Sequence, residues 1–511
     1  MRAPGEWPDR DPLAHRAETT PDRAAVVDAR EGGATTDYRE FDRAIDALAA
    51  GLAEEGPLDA TRGADESPPR VAVLADDRAA VPRSLFATTR LGWSVVPLNR
   101  QSGRAALVTA LERTDPAALV HDGPTAERAA NLASEVGLQT RSLAALRDRG
   151  ATATAPPAGE RTVDRDAERL VLFTSGTTGE PKGVRLSLRN LLASATGSAF
   201  RLGVLPEDRW LCCLPTYHMG GLAPWVRSAL YGTRVVVGGD FDPERTAREM
   251  REHEVTGVSL VPTMLVRLLD DGWTPPETLR FVLLGGGPAD ESLIERALAA
   301  GVPVHPTYGM TETASQVATA RPEILAEQPT TVGQPLVTTD LAVVDEDGDP
   351  VERGDTGELV VDGPTVSRGY LDGETTAAAF SDAGLHTGDL GWRDADGRLR
   401  VVGRVDDAFV SGGETVHPAA VADRLRDHPA VADAAVVGVE DREWGRRVAA
   451  ALVPDGDTLD AADVVADCEA DLATYERPRT VAVVDSLPRT ASGTVDRAAL
   501  RNLLDDRGDS V

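Results

Sequence analysis

Short apolar runs of strand type alternate with amphipathic runs of helical spacing through most of this 511-residue chain. Arg70-Val71-Ala72-Val73-Leu74 precedes a helical stretch at 79–91, and Trp93-Ser94-Val95-Val96-Pro97-Leu98 follows it. The same beat returns in Trp210-Leu211-Cys212-Cys213-Leu214, a helical 222–230, Arg234-Val235-Val236-Val237, a helical 243–253, Val258-Ser259-Leu260-Val261 and Phe281-Val282-Leu283-Leu284. This alternation predicts α/β layers built on parallel sheets. Between 341 and 402 the pattern changes. Short β runs at 341–344, 358–361 and 399–402 are separated by turns such as Asp345-Glu346-Asp347-Gly348 and Asp394-Ala395-Asp396-Gly397, which predicts an antiparallel, barrel-like region. Beyond Gly403-Arg404 a smaller α/β pattern resumes, with a helix at 418–427 and a strand at 434–437. The domain boundary is therefore placed at 403/404, giving domains 1–403 and 404–511. Residues 57–69 read as an exposed loop.

Composition narrows the class. Acidic residues outnumber basic ones 83 to 53, for a formal charge of −30, and they are spread along the chain as a solvated coat. Lysine occurs once, at Lys182; every other basic residue is arginine. Such a chain reads as adapted to high salt, where a Debye length of about 3 Å at 1 M screens self-repulsion. No basic stripe marks a nucleic-acid surface. Cys212, Cys213 and Cys468 form no C-x-x-C and read as core residues of a reducing cytoplasm. The first residues lack an apolar h-region and no 18-residue apolar stretch occurs, so a soluble, cytoplasmic protein without membrane insertion is expected. A homo-oligomer is left open.

The lone lysine stands in Thr174-Ser175-Gly176-Thr177-Thr178-Gly179-Glu180-Pro181-Lys182-Gly183, directly after the apolar Leu170-Val171-Leu172-Phe173. Glycines that admit close backbone approach, bare amides and hydroxyls suit phosphoryl oxygens. It is not a Walker loop, because glycine follows the lysine. The segment resembles the phosphate loop of the adenylate-forming superfamily, which includes acyl-CoA synthetases, luciferases and the adenylation domains of peptide synthetases, and the likeness runs over roughly residues 10–503 in the family's order. The resemblance implies a large N-terminal domain of two α/β lobes plus a β-barrel, and a small, mobile α+β C-terminal lid. It implies an acid–thiol ligase that uses ATP, Mg²⁺ and coenzyme A.

Further motifs follow the family. Leu283-Leu284-Gly285-Gly286-Gly287-Pro288 leaves room for a planar ring at a strand end, where the family places adenine and the acyl group. Pro306-Thr307-Tyr308-Gly309-Met310-Thr311-Glu312-Thr313 is more specific. By resemblance Tyr308 stacks on adenine, Thr311 touches the α-phosphate, and Glu312 with Thr174 ligates magnesium, for which oxygen donors are suited. Leu385-His386-Thr387-Gly388-Asp389-Leu390 matches the ribose motif, with Asp389 on the hydroxyls. Gly403-Arg404-Val405-Asp406-Asp407 matches the hinge motif: Arg404 contacts nucleotide and Asp406 is the pivot. Ser411-Gly412-Gly413-Glu414 resembles the loop lining the pantetheine channel, and Thr216-Tyr217-His218-Met219-Gly220-Gly221 the segment whose histidine shapes the acyl pocket. A histidine alone is more often structural.

Two positions depart from the family. Leu188 stands where many members carry histidine. In Leu487-Pro488-Arg489-Thr490-Ala491-Ser492-Gly493-Thr494-Val495-Asp496-Arg497 the catalytic lysine is replaced by Thr494, which is short and neutral. Within the family, the 285–289 and 308–316 segments look most like the branch that ligates 2-succinylbenzoate to CoA in menaquinone synthesis, with Gln316 facing substrate oxygens. The rivals are a medium-chain or aryl acyl-CoA ligase and, because of Thr494, a half-active or non-catalytic nucleotide-binding homologue.

Overall fold

The computed structural model describes residues 9–54, 68–151, 163–174, 181–407, 409–416, 418–442, 444–456, 459–468, 472–489, 495–507 and 509–510. The expected loop at 57–69 falls, up to residue 67, outside the described residues, as does most of the phosphate loop.

The chain divides into two compact units, one of residues 1–340 with 361–385, the other of 341–360 with 386–511. The first holds two sheets. In the larger, Val304–Met310, Phe281–Leu284, Gly257–Leu260, Arg209–Cys212, Arg234–Val237 and Ala24–Asp28 lie side by side and parallel, flanked by antiparallel strands at both edges. The smaller sheet runs Thr140–Ser142, Ala118–His121, Arg70–Leu74, Ser94–Pro97, Glu168–Thr174, Lys182–Ser187, with only the last strand antiparallel. Both faces of such strands are covered, so their residues are apolar without alternation: Val71, Ala72, Val73 and Leu74 are all buried. Burying each Val or Leu stabilises by about 1.5–3 kcal/mol.

Helix Met219–Tyr231 is largely apolar, with Arg227 and Ser228 as exceptions, and is buried from Gly221 to Ala229, packed against helices Pro12–Thr19, Ala80–Leu91 and Leu188–Leu202. Leu188 joins the same core cluster, so an apolar residue there has a packing reason. All three cysteines are buried and free.

In the second unit residues 389–393 pair antiparallel with Leu399–Arg404, as the Asp/Gly turns predict. A further sheet centres on Gly445–Pro454, paired with Val431–Asp441 and Thr480–Val483 and covered by Pro418–Arg426 and Arg497–Arg507.

Candidate active site

Glu168–Thr174 and Lys182–Ser187 form a hairpin whose register brings Thr174 opposite Lys182, the two ends of the phosphate loop. Its base is fixed by Glu168, which binds Arg70 Nε at 2.8 Å and Arg185 Nε at 2.7 Å. Burial works against the Glu168 charge, but the two guanidinium groups outweigh it and hold the carboxyl below its ordinary range. The Lys182 ammonium lies 5.5 Å over the Tyr370 ring. Thr174 Oγ1 is 3.4 Å from the Lys182 carbonyl. Ser175, Gly176, Thr177, Thr178 and Gly179 are outside the described residues.

Strand Phe281–Leu284 delivers Gly285, Gly286 and Gly287 to its carboxyl end, and Gly286 takes φ +81°. The neighbouring strand Val304–Met310 carries Thr307, Tyr308, Gly309 and Met310. Thr307 bonds through its hydroxyl to Ala318 O and Thr319 Oγ1, both at 2.9 Å. Gly309 must lack a side chain, since a Cβ there would overlap the Ser315 carbonyl. The chain then makes one turn of 3₁₀ helix, Thr311–Thr313, and leaves it through Ala314 at φ 53° and Ser315 at φ 129°. Two consecutive non-glycine residues at positive φ store strain at this point, a common mark of a functional turn. The turn is braced by Ser367 N to Glu312 O at 2.7 Å, and Tyr370 donates its hydroxyl to Glu312 Oε1 at 2.9 Å.

His218 begins helix Met219–Tyr231. It is accessible from one side, yet the surrounding protein desolvates the ring and holds its pKa below the ordinary value, favouring neutral imidazole. Gly220 and Gly221 let the helix start press on Leu214 and Pro215. About two turns on, the same helix presents Arg227, 2% exposed, stacked on Trp210 at 5.0 Å. Its Nη2 donates to Gln316 Oε1 at 2.8 Å and lies 3.4 Å from Ser315 Oγ. Gln316, itself buried, passes an N–H to Thr319 Oγ1 at 2.6 Å. Gln316, expected near substrate oxygens, has its amide bonded between Arg227 and Thr319.

In the second unit Arg404 Nη1 binds Asp389 Oδ1 at 2.9 Å. Gly388, at φ +69°, makes the room, since any Cβ would lie 2.7 Å from the Arg404 guanidinium. Glu358 holds this turn from behind, accepting from Gly388 N at 3.0 Å and bonding His386 Nδ1 at 2.8 Å. Asp406 sits in a 3₁₀ turn, Val405–Asp407, whose Asp407 pairs with Arg497 at 2.5 Å. Gly412 and Gly413, at φ +61° and +93°, form the tip between Phe409–Ser411 and Glu414–Val416, with Trp444 packed where a Gly412 side chain would be. Arg489 is held by Asp433 at 2.6 Å. Thr494 is outside the described residues.

Residues 13–371 match the AMP-binding enzyme family and 420–494 match the AMP-binding enzyme C-terminal domain. The chain belongs to the AMP-binding enzyme family. It is 36% identical to the 2-succinylbenzoate–CoA ligase of Bacillus subtilis over 495 residues, 97% of each chain, and 36% identical to that of Bacillus licheniformis over 492 residues, 96% of this chain and 98% of the other. The Bacillus subtilis o-succinylbenzoate CoA synthetase in complex with its acyl-adenylate intermediate superposes with a TM-score of 0.85 at 34% identity, covering 98% and 99% of the two chains. ATP-bound MatB from Rhodopseudomonas palustris reaches 0.86 at 29% identity, over 97% and 99%. Backbone likeness thus does not separate branches of the family; side chains must.

Among the residues that bear on the site, Tyr370, Arg227 and Glu358 escaped the sequence reading. Arg227 had a signal, as one charge inside the apolar run 222–230. Tyr370 and Glu358 had none, because their roles come from pairing across the sheets.

Proposed function

We propose that this protein is an ATP-dependent, AMP-forming acid–CoA ligase acting on 2-succinylbenzoate in menaquinone synthesis. A carboxylate oxygen of the acid bonds to the α-phosphorus of ATP as the bond to the bridging β-oxygen breaks, and pyrophosphate leaves. The CoA thiol then gives up its proton, its sulfur bonds to the acyl carbon, and the acyl–oxygen bond breaks to release AMP. Lys182 and the backbone of the phosphate loop hold the triphosphate, and Thr311 the α-phosphate. Glu312 and Thr174 offer hard oxygen donors, and Tyr370 already fixes one oxygen of Glu312, which fits magnesium carried in on phosphate. That ion would neutralise the triphosphate. Tyr308 and Gly285–Gly287 take the adenine, Asp389 and Arg404 the ribose and nucleotide. His218, Gly220, Gly412 and Gly413 line the acyl and CoA path, and Asp406 is the hinge of a lid at 404–511.

Arg227 carries the choice of acid. It is a guanidinium in an apolar helix, with no ion pair to a carboxylate among the described residues and its pKa lowered by burial. An uncompensated buried cation is costly. It is well used on a substrate with two carboxylates, one to be activated and one to be met by positive charge, and poorly used on octanoate. An assay of CoA-thioester formation over a panel of acids in molar KCl tests the reading. AMP and pyrophosphate are expected, with 2-succinylbenzoate preferred. ADP as product, or a tenfold preference for benzoate or octanoate, would refute it.

The acidic, lysine-poor surface supports a cytoplasm of high salt. With a net charge of −30, repulsion reaches over about 10 Å at 0.1 M salt and about 3 Å at 1 M. Melting temperature should climb with KCl over this range; a flat curve would count against it.

A further inference from the structure

Residues 367–371 lie along the outgoing strand of the phosphate loop. Arg368 N donates to Arg185 O at 3.0 Å, Arg185 N to Gly369 O at 2.9 Å, and Leu371 N to Gly183 O at 2.8 Å, with Tyr370 bridged to Val184. The same segment reaches the other motif through Ser367 N, which bonds Glu312 O. Between these anchors stands Tyr370, 6% exposed, its own N–H held by Thr376 Oγ1 at 2.9 Å and its ring edge-on to Phe380 at 6.4 Å. Its hydroxyl goes to Glu312 Oε1 and its ring face to the Lys182 ammonium.

We propose that Tyr370 is a positioning residue that aims the Glu312 carboxylate at its metal and seats Lys182 on the same ring. One side chain thereby sets the spacing between the two groups that hold the triphosphate. This rests on the roles given above to Glu312 and Lys182. The chemistry favours it over simple core packing. A buried phenol does need an acceptor, but a backbone carbonyl would serve. Here the acceptor is the one acidic side chain of the 311–313 turn. A hydrogen bond from Tyr370 fixes the rotation of the carboxylate, so the remaining lone pairs face a constant direction. A cation over an aromatic face keeps the lysine extended and available.

The test is ATP binding by calorimetry in molar KCl, with excess Mg²⁺ and with EDTA. Tyr370→Phe removes the hydroxyl and keeps the ring. It should leave affinity in EDTA unchanged and cut the magnesium-dependent gain in affinity about tenfold. Tyr370→Leu removes both, and should also weaken ATP in EDTA about threefold through Lys182. Melting temperatures confirm folding, and if Tyr370→Leu fails to fold, Tyr370→Phe decides alone. The proposal is overturned if Tyr370→Phe keeps the wild-type magnesium gain, or if it loses affinity equally with and without the metal, as a packing defect would. A wild type whose ATP affinity ignores magnesium overturns it too. In that case acid-dependent AMP release, measured separately, shows whether the ligase reading survives.

Discussion

Two buried arginines of the same unit show opposite uses of one side chain. Arg90 ties three helices together, with its Nε 2.7 Å from Asp11, a nitrogen 2.5 Å from Asp46, and a third contact to Asp42. Asp11 is also the N-cap of Pro12–Thr19. Burial opposes the charge of Arg90, but the three aspartates outweigh it and raise its pKa. Arg227 is as deeply buried and has an amide, a hydroxyl and an indole face instead. Its pKa is lowered by burial. The fold compensates the arginine it uses as a clamp with three carboxylates and gives the one beside Ser315 and Gln316 none among the described residues. Removing the first should therefore cost stability, and removing the second should cost recognition.

The largest effect is expected at Arg90. Arg90→Leu leaves three carboxylates facing a cavity, and breaking a buried pair by deleting one partner costs about 3–5 kcal/mol. Denaturant unfolding in molar KCl measures it. A loss under 1 kcal/mol would mean that the aspartates can turn to solvent, and that the contrast with Arg227 is one of exposure only.

Next comes the position where the comparison predicts no substitute. Arg489 and Arg497 flank Thr494 in sequence, and each is held by an aspartate, Asp433 and Asp407, from a partly exposed position. Either would have to leave its aspartate to take the place of the lysine that the resemblance leads one to expect. Adenylation should be the slow half-reaction, and Thr494→Lys should speed it by about 10²–10³-fold without changing thioester formation from pre-formed acyl-adenylate. An unchanged adenylation rate, together with loss of activity in Arg497→Ala, would show that the Asp407 pair opens during turnover.

How much of this was legible in sequence follows from the range of each interaction. The parallel sheets were, because burial on both faces writes itself as continuous apolar runs such as 70–74 and 281–284. The strand and turn at 304–313 were, because contiguous residues make them. Tyr370 was not, since 58 residues separate it from the carboxylate it holds. The partner of Gln316 was hidden for a related reason: the buried guanidinium that donates to its amide oxygen lies 89 residues away. Arg404 and Asp389 were each legible, yet their mutual bond was not, because it depends on the register of one antiparallel pair.

The third effect sharpens the comparison at Arg227 itself. Arg227→Met keeps length and apolar volume and removes the charge. A bond to a charged group contributes about 1.5–3 kcal/mol, so kcat/KM for 2-succinylbenzoate should fall about 10–150-fold while that for benzoate stays within threefold. Stability should hold or rise, because methionine replaces an uncompensated buried cation. Equal losses on both acids would make Arg227 a packing residue after all.

The smallest effect extends the contrast to pH. Glu168 is compensated like Arg90: Arg70 and Arg185 overcome its burial and depress its pKa. His305 resembles Arg227: its ring is buried, burial is the main cause of its lowered pKa, and its Nδ1 contact is a backbone carbonyl, Pro303 O at 2.9 Å. The signs follow from which state binds more protons. Below the ordinary histidine value of 6.5, the unfolded chain takes up a proton at residue 305 while the folded chain resists, so stability falls as pH drops through that window. The Glu168 contribution is intact there. It is lost only as pH falls below the ordinary glutamate value of 4.5, towards the lower folded pKa. Acid should therefore destabilise in two separate stages, the first assignable to uncompensated burial and the second to a broken pair. Melting temperature followed from pH 7 downward in molar KCl should show the first stage in wild type and a weaker one in His305→Asn, which keeps a polar group of similar size. If His305→Asn tracks wild type between pH 6.5 and 5, the early loss belongs to other groups, with His218, also lowered by burial, the next to replace.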